Sequence, residues 1–311
     1  MWDPRHRCHN TGIMFPRPVV CLFVAVAIYF GTFFFSVDAA RDDSSLKIAA
    51  FNIKWFGRQR RSDSAFGILT RIVAQYDLIL IQEILKEDAL WRLLGDIQSI
   101  KSDFECELSA PQGTVPTYKE YYAYCYSSSK FKIVHKHQWS GDFAYPPYAV
   151  WLKPTNRAFP EFGFIGAHLT ITDAKKGRET YKEMDKLVDV YNYLKGQWGL
   201  ENFIFAGDFN AGCAYMTSEK WSKVRLKTDR KFSWFISDNE KTNLGRHQDC
   251  PYDRIVGVGN ELVSRITQYG VYRFDQNLTD AKAKEISDHF PVYAEILATK
   301  TRRSLWTSFF A

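Results

Sequence analysis

Carboxylate, amide and histidine side chains stand at the ends of several apolar segments of this sequence. Each segment has the composition of a buried strand. The residues are Asn52 after IAAF, Glu83 after LILIQ, His168 after FIGA, Asp208 and Asn210 after FIFAG, and Asp288 and His289 before a last strand. Taken singly, each could be a cap or a turn residue. Together they predict one sheet rim where oxygen ligands could hold a divalent cation and imidazoles could transfer protons.

Strands and helices are mixed along the chain, without a repeat and without a linker that would divide it. Apolar and β-branched runs predict strands at residues 46–54, 77–84, 104–108, 121–126, 131–138, 149–153, 162–169, 202–210, 255–258 and 292–297. Helical spacing predicts helices at 62–76, 88–100 and 178–198, with Ser62 as the candidate N-cap of the first. We therefore expect one α/β domain over residues 46–297 with two sheets.

The composition excludes intrinsic disorder and fibrous repeats. The chain has 311 residues, of which 46% are hydrophobic, 16% aromatic and 24% charged. Lys and Arg number 41 against 35 Asp and Glu, which gives a formal net charge of +6. This excess permits a polyanionic partner without proving one.

The N-terminal segment has the features of a signal peptide. Residues 19–37 carry no charge and follow three arginines, and Val37 and Ala39 are small residues at the −3 and −1 positions of a cleavage site. We predict a signal peptide over 1–39 and a secreted or secretory-pathway protein. The alternative is an uncleaved membrane anchor, because about 20 apolar residues span a bilayer. The basic tail 298–311 is expected to be disordered.

The cysteine count fits an oxidising compartment. After signal removal, Cys106, Cys125, Cys213 and Cys250 remain, and their spacing fits no zinc pattern. An even number in a secreted chain predicts two disulfides, with three connectivities open. Asn277 begins the glycosylation sequon Asn-Leu-Thr.

The ordered segments LKIAAFNIKWFG, YDLILIQEI, TYKEYYAYCY, GAHL, ENFIFAGDFNAGC, CPYDRIV and ISDHFPVY resemble the signatures of the deoxyribonuclease I family, within the exonuclease–endonuclease–phosphatase superfamily. GDFN and SDH occur across the superfamily, whereas YKE and DFNAGC…CPYDRIV are more specific to the nucleases. ENFIFAGDFNAGC and VWL resemble the gamma-type member. The resemblance implies a four-layer α/β sandwich of two packed, mostly antiparallel sheets flanked by helices.

The resemblance also implies a reaction, namely hydrolysis of DNA phosphodiester bonds to 5′-phosphorylated oligonucleotides with a divalent cation. The implied catalytic residues are two histidine–carboxylate pairs, His168 with Glu120 and His289 with Asp253. The implied metal ligands are Glu83, helped by Asn52, Asp208, Asn210 and Asp288. Such hard oxygen ligands suit Mg²⁺ first, with Ca²⁺ or Mn²⁺ as alternatives.

The family match further implies a bridge between Cys213 and Cys250. This leaves Cys106 and Cys125, which lie in the two arms of a predicted hairpin, as the second pair. The implied substrate is double-stranded DNA and the expected state is a monomer. No obligate protein partner is implied, and actin binding cannot be carried over.

The chain departs from the family at positions where arginines hold DNA phosphates. Leu85 and Tyr145 stand near two such positions, and the third segment reads Gly113-Thr114-Val115-Pro116. Losing phosphate contacts changes the affinity for DNA and its salt dependence. The family's structural calcium sites are not carried over.

Several other residues are expected to compensate for the lost arginines. Lys54 and the basic loop from Arg58 to Arg61 are candidates for contact with the DNA backbone, although a solvated loop or a processing site would explain the loop equally. Tyr118 and Tyr252 keep aromatic positions near the groove. Two other functions remain open, hydrolysis of another phosphodiester such as a phospholipid, and catalytically silent binding of DNA or protein.

Overall fold

The computed structural model describes residues 44–115, 117–173, 177–245 and 250–298. The predicted signal segment and the tail beyond residue 298 lie outside these residues. In the described parts of the chain, no helix has the length and apolar character that crossing a bilayer requires.

Two six-stranded sheets form the framework of the described chain, with strands numbered in chain order. In spatial order, the first sheet contains β11 (Ile266–Val271), β12 (Val292–Leu297), β1 (Ser45–Phe56), β2 (Leu78–Ile84), β4 (Tyr121–Ser127) and β3 (Phe104–Leu108). The second contains β5 (Phe131–Gln138), β6 (Tyr148–Pro154), β7 (Phe162–Gly166), β8 (Phe203–Asp208), β10 (Asp253–Val258) and β9 (Ser233–Trp234). Adjacent strands are antiparallel except for β1 with β2 and β7 with β8.

Seven α-helices accompany the sheets in the described chain, and all but the sixth cover an outer face, since Leu262 of that helix joins the core between the sheets. They are α1 (Asp63–Ala74), α2 (Glu87–Gln98), α3 (Thr180–Trp198), α4 (Ser218–Trp221), α5 (Arg225–Thr228), α6 (Asn260–Val263) and α7 (Asp280–Ile286). Ser62 caps α1 as predicted, since its hydroxyl accepts a hydrogen bond from the Ala65 amide at 3.3 Å.

Because both faces of each sheet are buried, the central strands have continuous apolar runs instead of alternating patterns. Along β1, Ile48 joins the core between the sheets, whereas the neighbouring Ala49 joins the core beneath α1, α2 and α7. On the far side, Leu187 of α3 and Phe205 of β8 belong to a third core. This layering confirms the predicted α/β sandwich of two packed, mostly antiparallel sheets.

Some predicted boundaries were wrong, and some elements were not predicted. The strand predicted at 162–169 ends at Gly166, and the one predicted at 202–210 ends at Asp208, so that His168 and Asn210 lie in loops beyond the strands. The helix predicted from residue 178 begins at Thr180, and β9, β11 and α4 to α7 were not predicted. The edge strand β11 was missed because its middle residues are exposed and break the apolar pattern.

Gly207 lets the two sheets approach each other next to the candidate site. Its φ is +132°, and a Cβ there would lie 2.3 Å from the Ala167 carbonyl oxygen and 2.7 Å from the Gln82 side chain. We expect Gly207→Ala to lower the free energy of unfolding by about 3 kcal/mol or more, since backbone strain and overpacking add. Urea denaturation measures this change.

A matched control is Gly196→Ala in α3, where nothing lies within 4 Å of the added Cβ. This control should leave stability unchanged or raise it by up to about 1 kcal/mol, because alanine favours the helix. Equal midpoints for the two variants would contradict the close approach at Gly207.

Candidate active site

Two histidine–carboxylate pairs face one another across a single aspartate. His168 Nδ1 lies 2.7 Å from Glu120 Oε1, and His289 Nδ1 lies 2.8 Å from Asp253 Oδ2. The Nε2 atoms of the two rings are 3.6 and 3.7 Å from Asp208 Oδ2. Each Nδ1 is therefore paired with a carboxylate, and each Nε2 is directed at the same centre.

The strand pairing of the second sheet brings the acidic members of this centre together. Asp208, the last residue of β8, lies directly opposite Asp253, the first residue of β10. The parallel pair β7 and β8 ends at the same edge of the sheet, and His168 follows β7 by two residues. Asp208, Asp253 and His168 thus collect at one edge of the second sheet, whereas Glu120 and His289 precede β4 and β12 of the first sheet.

The His168 ring is fixed from several sides. Its backbone amide donates to the Tyr122 hydroxyl at 3.0 Å. The ring of Tyr145 stacks on the imidazole with a centroid distance of 4.8 Å and an interplanar angle of 10°. The Glu183 carboxylate accepts backbone amides of Ala144 and Thr170, both at 2.7 Å, and so ties together the loops that carry these two rings.

The carboxylates dominate the electrostatics of the two imidazoles. Burial disfavours the charged form of His168, but Glu120 and Asp208 outweigh burial and raise its pKa to about 10. Burial opposes protonation of His289 too, yet Asp253 and Asp208 raise the pKa of His289 well above its ordinary value. Burial raises the pKa of Asp253 to about 6 against the opposing charge of His289. Both shifts favour the imidazolium form of the two rings in the protein without a bound cation.

Beside this centre, Glu83 and Asp208 converge on the amide of Asn52. Asn52 Nδ2 lies 2.9 Å from Glu83 Oε1 and 3.2 Å from Asp208 Oδ2. The Trp55 amide donates to Glu83 Oε2 at 3.0 Å. Both Glu83 and Trp55 have left-handed backbone, with φ of 56° and 48°. Such strain in non-glycine residues is typical of functional sites, and here it turns the Glu83 carboxylate towards Asn52.

The donor set beside Asn52 fits a hard divalent cation. Asn52 Oδ1 and Asp288 Oδ1 are buried, and among the described residues neither accepts a hydrogen bond. Buried oxygens without a protein donor are costly unless another partner satisfies them, and carboxylate and amide oxygens are the ligands that Mg²⁺ and Ca²⁺ prefer.

A second group of potential ligands lies next to the first. One ligand atom from each of Asp208, Asp253 and His289 lies within 4.8 Å of the others. The hydrogen bond between His289 and Asp253 accounts for this closeness without an ion. The oxygen set of Glu83 and Asn52 is therefore the better candidate for the cation.

The remaining predicted ligands contact other partners. The Asn210 side chain donates to the Leu169 carbonyl at 2.9 Å, and its own backbone amide donates to Asp208 Oδ1 at 2.9 Å. Asp288 forms an ion pair with Lys54. The hydrogen bonds of Asn210 thus order the loop after β8. The ion pair with Asp288 holds Lys54 next to the candidate metal ligands.

Three adjoining cavities form a groove across the site. The central cavity, about 530 Å³, is lined by both histidines, Glu83 and Asp208. It shares His289 with a cavity of about 650 Å³ that is lined by Lys54 and Tyr252. It shares Tyr118 with a cavity of about 420 Å³ that is lined by Arg58. The structure therefore brings all four predicted substrate contacts to the groove.

The predicted basic loop divides into two kinds of residue. Arg58 and Arg60 are exposed, whereas Arg61 is 8% exposed and donates to the carbonyls of Ile53, Lys54 and Ile286. The expectation that Arg61 faces DNA was wrong, because its guanidinium satisfies buried carbonyls between β1 and α7.

Four basic residues of the groove were missed by sequence reasoning, and two of them, Lys86 and Lys119, line the cavity that contains Arg58. Lys284 of α7 lines the cavity that contains Lys54, and Arg178 lines the central cavity. Arg178 was predicted as the first residue of a helix, but the helix begins at Thr180, and the helical pattern gave no signal that this side chain lines the site.

Two disulfides brace the structure as predicted. Cys106 and Cys125 are directly opposite in β3 and β4, and Cys213 pairs with Cys250 at a Cα separation of 5.7 Å. The second bridge spans 37 positions, and closing such a loop stabilises the folded chain by about 4 kcal/mol in the chain-entropy estimate. It joins the loop after Asn210 to the segment before Asp253. The sequon residue Asn277 is exposed between β11 and α7.

Two packed sheets flanked by helices, with two histidine–carboxylate pairs in one site, are typical of a class of phosphoester hydrolases. Comparisons with known proteins place the chain in this class. Residues 49–289 match the model of the Endonuclease/Exonuclease/phosphatase family. The catalytic domain of human Nocturnin shares the fold with a TM-score of 0.57 and 14% identity, covering 81% of this chain and 94% of that one. Truncated TDP2 of Caenorhabditis elegans gives a TM-score of 0.55 at 17% identity, covering 81% and 97%.

The sequence relatives narrow the family further. The chain is 33% identical over 279 residues to Deoxyribonuclease gamma of Mus musculus, covering 84% of this chain and 88% of the relative. It is 33% identical over 278 residues to Deoxyribonuclease-1 of the same species, covering 84% and 95%. The chain belongs to the deoxyribonuclease I family within the endonuclease/exonuclease/phosphatase superfamily, as its motifs predicted.

Proposed function

We propose that this protein is a metal-dependent endonuclease that hydrolyses phosphodiester bonds of double-stranded DNA and leaves 5′-phosphorylated ends. The observation that carries the proposal is the pair of histidine–carboxylate dyads whose Nε2 atoms face Asp208. Hydrolysis of a phosphodiester needs a base for the water and an acid for the leaving oxygen, and two imidazoles supply both roles. The names of the sequence relatives support DNA as the substrate.

The reaction follows from the chemistry of the two dyads. Water forms a bond to phosphorus while the bond from phosphorus to the 3′ oxygen breaks. One imidazole takes the proton of the water, and the other, as imidazolium, gives a proton to the leaving 3′ oxygen. Glu120 and Asp253 hold His168 and His289 in the tautomer that directs Nε2 at the phosphate, and they stabilise each ring when it is charged.

Glu83 and Asn52 are the proposed principal ligands of the cation, with Asp208, Asn210 and Asp288 assisting around it. When bound, a divalent cation would supply positive charge to the phosphate oxygens. The buried oxygens of Asn52 and Asp288 support a hard divalent cation, for which we propose Mg²⁺ as the first choice and Ca²⁺ or Mn²⁺ as alternatives.

The groove supports a long polyanionic substrate. Lys54 and Arg58 lie in the two outer cavities, and Tyr118 and Tyr252 offer aromatic faces along the same line. We propose that these four residues contact the DNA on either side of the scissile bond, with the cations at the backbone phosphates.

Passage through the secretory pathway is part of the proposal. Both disulfides support an oxidising compartment. In this view residues 1–39 are a signal peptide, and Asn277 is an acceptor for N-linked glycan because it is exposed.

Nicking of supercoiled plasmid by the chain beginning at Ala40 tests the proposed function. We expect relaxation in Mg²⁺ and none when a chelator is added. End-labelling should then find 5′-phosphates at the nicks. A folded, disulfide-bonded protein that leaves the plasmid intact in Mg²⁺, Mn²⁺ and Ca²⁺ at low salt would contradict the proposal. Turnover of sphingomyelin or another phospholipid in the same buffers would then identify the other hydrolase class.

A further inference from the structure

The carboxylates that line the central cavity create a negative field beside its two histidines. Its described lining includes the carboxylates of Glu83, Asp173 and Asp208. A DNA phosphate that reaches the two histidines must enter this field, and like charges repel strongly where water is scarce. Arg178 is the one Lys or Arg among the described residues that line this cavity.

The backbone of Arg178 is fixed by a short antiparallel bridge. Its amide donates to the Asp173 carbonyl at 3.0 Å, and its carbonyl accepts the Asp173 amide at 2.9 Å. Helix α3 begins two residues later at Thr180, which is fully buried. The backbone of Arg178 is therefore held in place immediately before the N-terminus of a long helix.

The guanidinium of Arg178 is anchored by a residue from a distant segment of the chain. Its Nη2 donates to the Thr114 hydroxyl at 2.6 Å, a contact across 64 positions of sequence. A guanidinium has five N–H donors, and this contact uses one nitrogen. Thr114 lies in the segment before Glu120 in which the sequence has no arginine of its own.

The charge of Arg178 acts on Tyr145, which lies next to His168. Burial and the carboxylates of Glu120 and Glu83 raise the pKa of Tyr145 to about 12, and Arg178 acts in the opposite direction. Tyr145 is the ring that stacks on His168. Arg178, Tyr145 and His168 line the same cavity, so the guanidinium lies on the His168 side of the groove.

We propose that Arg178 binds a backbone phosphate of the DNA at the scissile bond or directly beside it, on the His168 side of the groove. This inference rests on the proposed function. A planar guanidinium can donate two parallel hydrogen bonds to phosphate oxygens, which adds orientation to charge. Arg178 lies between β7, which leads to His168, and helix α3. It gives this chain a cation that the positions of the family motifs do not supply.

The test compares Arg178→Ala and Arg178→Lys with the unaltered chain from Ala40. Losing a charge-assisted contact at the reacting phosphate should lower kcat/KM for plasmid nicking by about 10- to 100-fold. Arg178→Lys should recover part of this loss, since it keeps the charge but not the fork. The control is Arg157→Ala, an exposed arginine in the turn between β6 and β7, at the opposite end of these strands from His168. It should nick like the unaltered chain.

A binding measurement separates phosphate contact from a merely structural role. The anisotropy of a labelled duplex is titrated with each protein in chelator, so that no cleavage occurs, at several salt concentrations. The slope of log Kd against log salt should fall by about 0.9 in Arg178→Ala, the contribution of one phosphate contact, and stay unchanged in Arg178→Lys and Arg157→Ala.

The outcomes separate this inference from the function on which it rests. An unaltered chain that nicks DNA, together with an Arg178→Ala protein of equal kcat/KM and equal salt slope, would overturn the role of Arg178 alone. An unaltered chain that does not nick DNA with any cation would overturn the proposed function and this inference with it.

Discussion

We expect His168→Ala to lower the rate of plasmid nicking by about 1,000-fold, within the range of roughly 100- to 10,000-fold that a general acid or base contributes. The ring stands at the meeting point of Glu120, Tyr145 and Asp208, and no described neighbour offers a second imidazole at that position. The measurement is the initial rate of loss of supercoiled plasmid at saturating Mg²⁺.

Two companion variants show whether the loss comes from chemistry or from packing. His168→Gln fills a similar volume without a titratable ring and should be as inactive as His168→Ala. Glu120→Gln keeps the ring but removes the charge that raises its pKa, and it should lose about 10- to 100-fold, as typical for a partner that orients a functional histidine.

The matched control for this prediction is His135→Ala. His135 lies on the exposed face of β5 and packs against Trp151, away from the groove. It should nick at the rate of the unaltered chain. If a folded His168→Ala protein retained more than a third of the rate, His168 would have no part in proton transfer.

Much of this arrangement could be predicted from sequence because strand ends are visible as breaks in apolar runs. Asp208 was expected at the rim because it follows the apolar run of β8, whereas Asp253, which lies two residues before the predicted strand 255–258, came from the family resemblance. The local pattern could not predict which carboxylate pairs with His168. Glu120 precedes β4 in the other sheet and reaches His168 only when the two sheets pack. That pairing came from the family resemblance and not from the local pattern.

The fate of the arginines could not be predicted, for a physical reason. A short basic loop looks the same in sequence whether its side chains meet water or buried carbonyls. Arg61 meets the carbonyls of Ile53 and Ile286, the latter 225 positions away. Arg178, predicted as the first residue of a helix, instead precedes the helix and reaches Thr114, 64 positions away. Such contacts are set by the packing of distant segments, which no local pattern encodes.

The second large effect is expected at Glu83. Glu83→Gln keeps the size and the hydrogen-bonding shape of the side chain but removes the negative charge beside Asn52 and Asp208. We expect the nicking rate at about 1 mM Mg²⁺ to fall about 100-fold or more, since a cation at the phosphate is worth several kcal/mol and each 1.4 kcal/mol is a factor of ten. The Mg²⁺ concentration at half-maximal rate should rise, and more Mg²⁺ should restore part of the activity.

Calorimetric titration with Mg²⁺ measures the same change without substrate, and Glu201→Gln is its control. Glu201 is exposed and precedes β8 at the end away from the site, where it pairs with Lys195, so its loss should leave Mg²⁺ affinity unchanged. If Glu83→Gln bound Mg²⁺ as tightly as the unaltered chain, the cation would have to be held elsewhere. Asp208, Asp253 and His289 would then be the remaining group of ligands, and the buried oxygen of Asn52 would need another partner. The Mg²⁺ dependence of this one variant therefore decides between the two adjacent ligand sets.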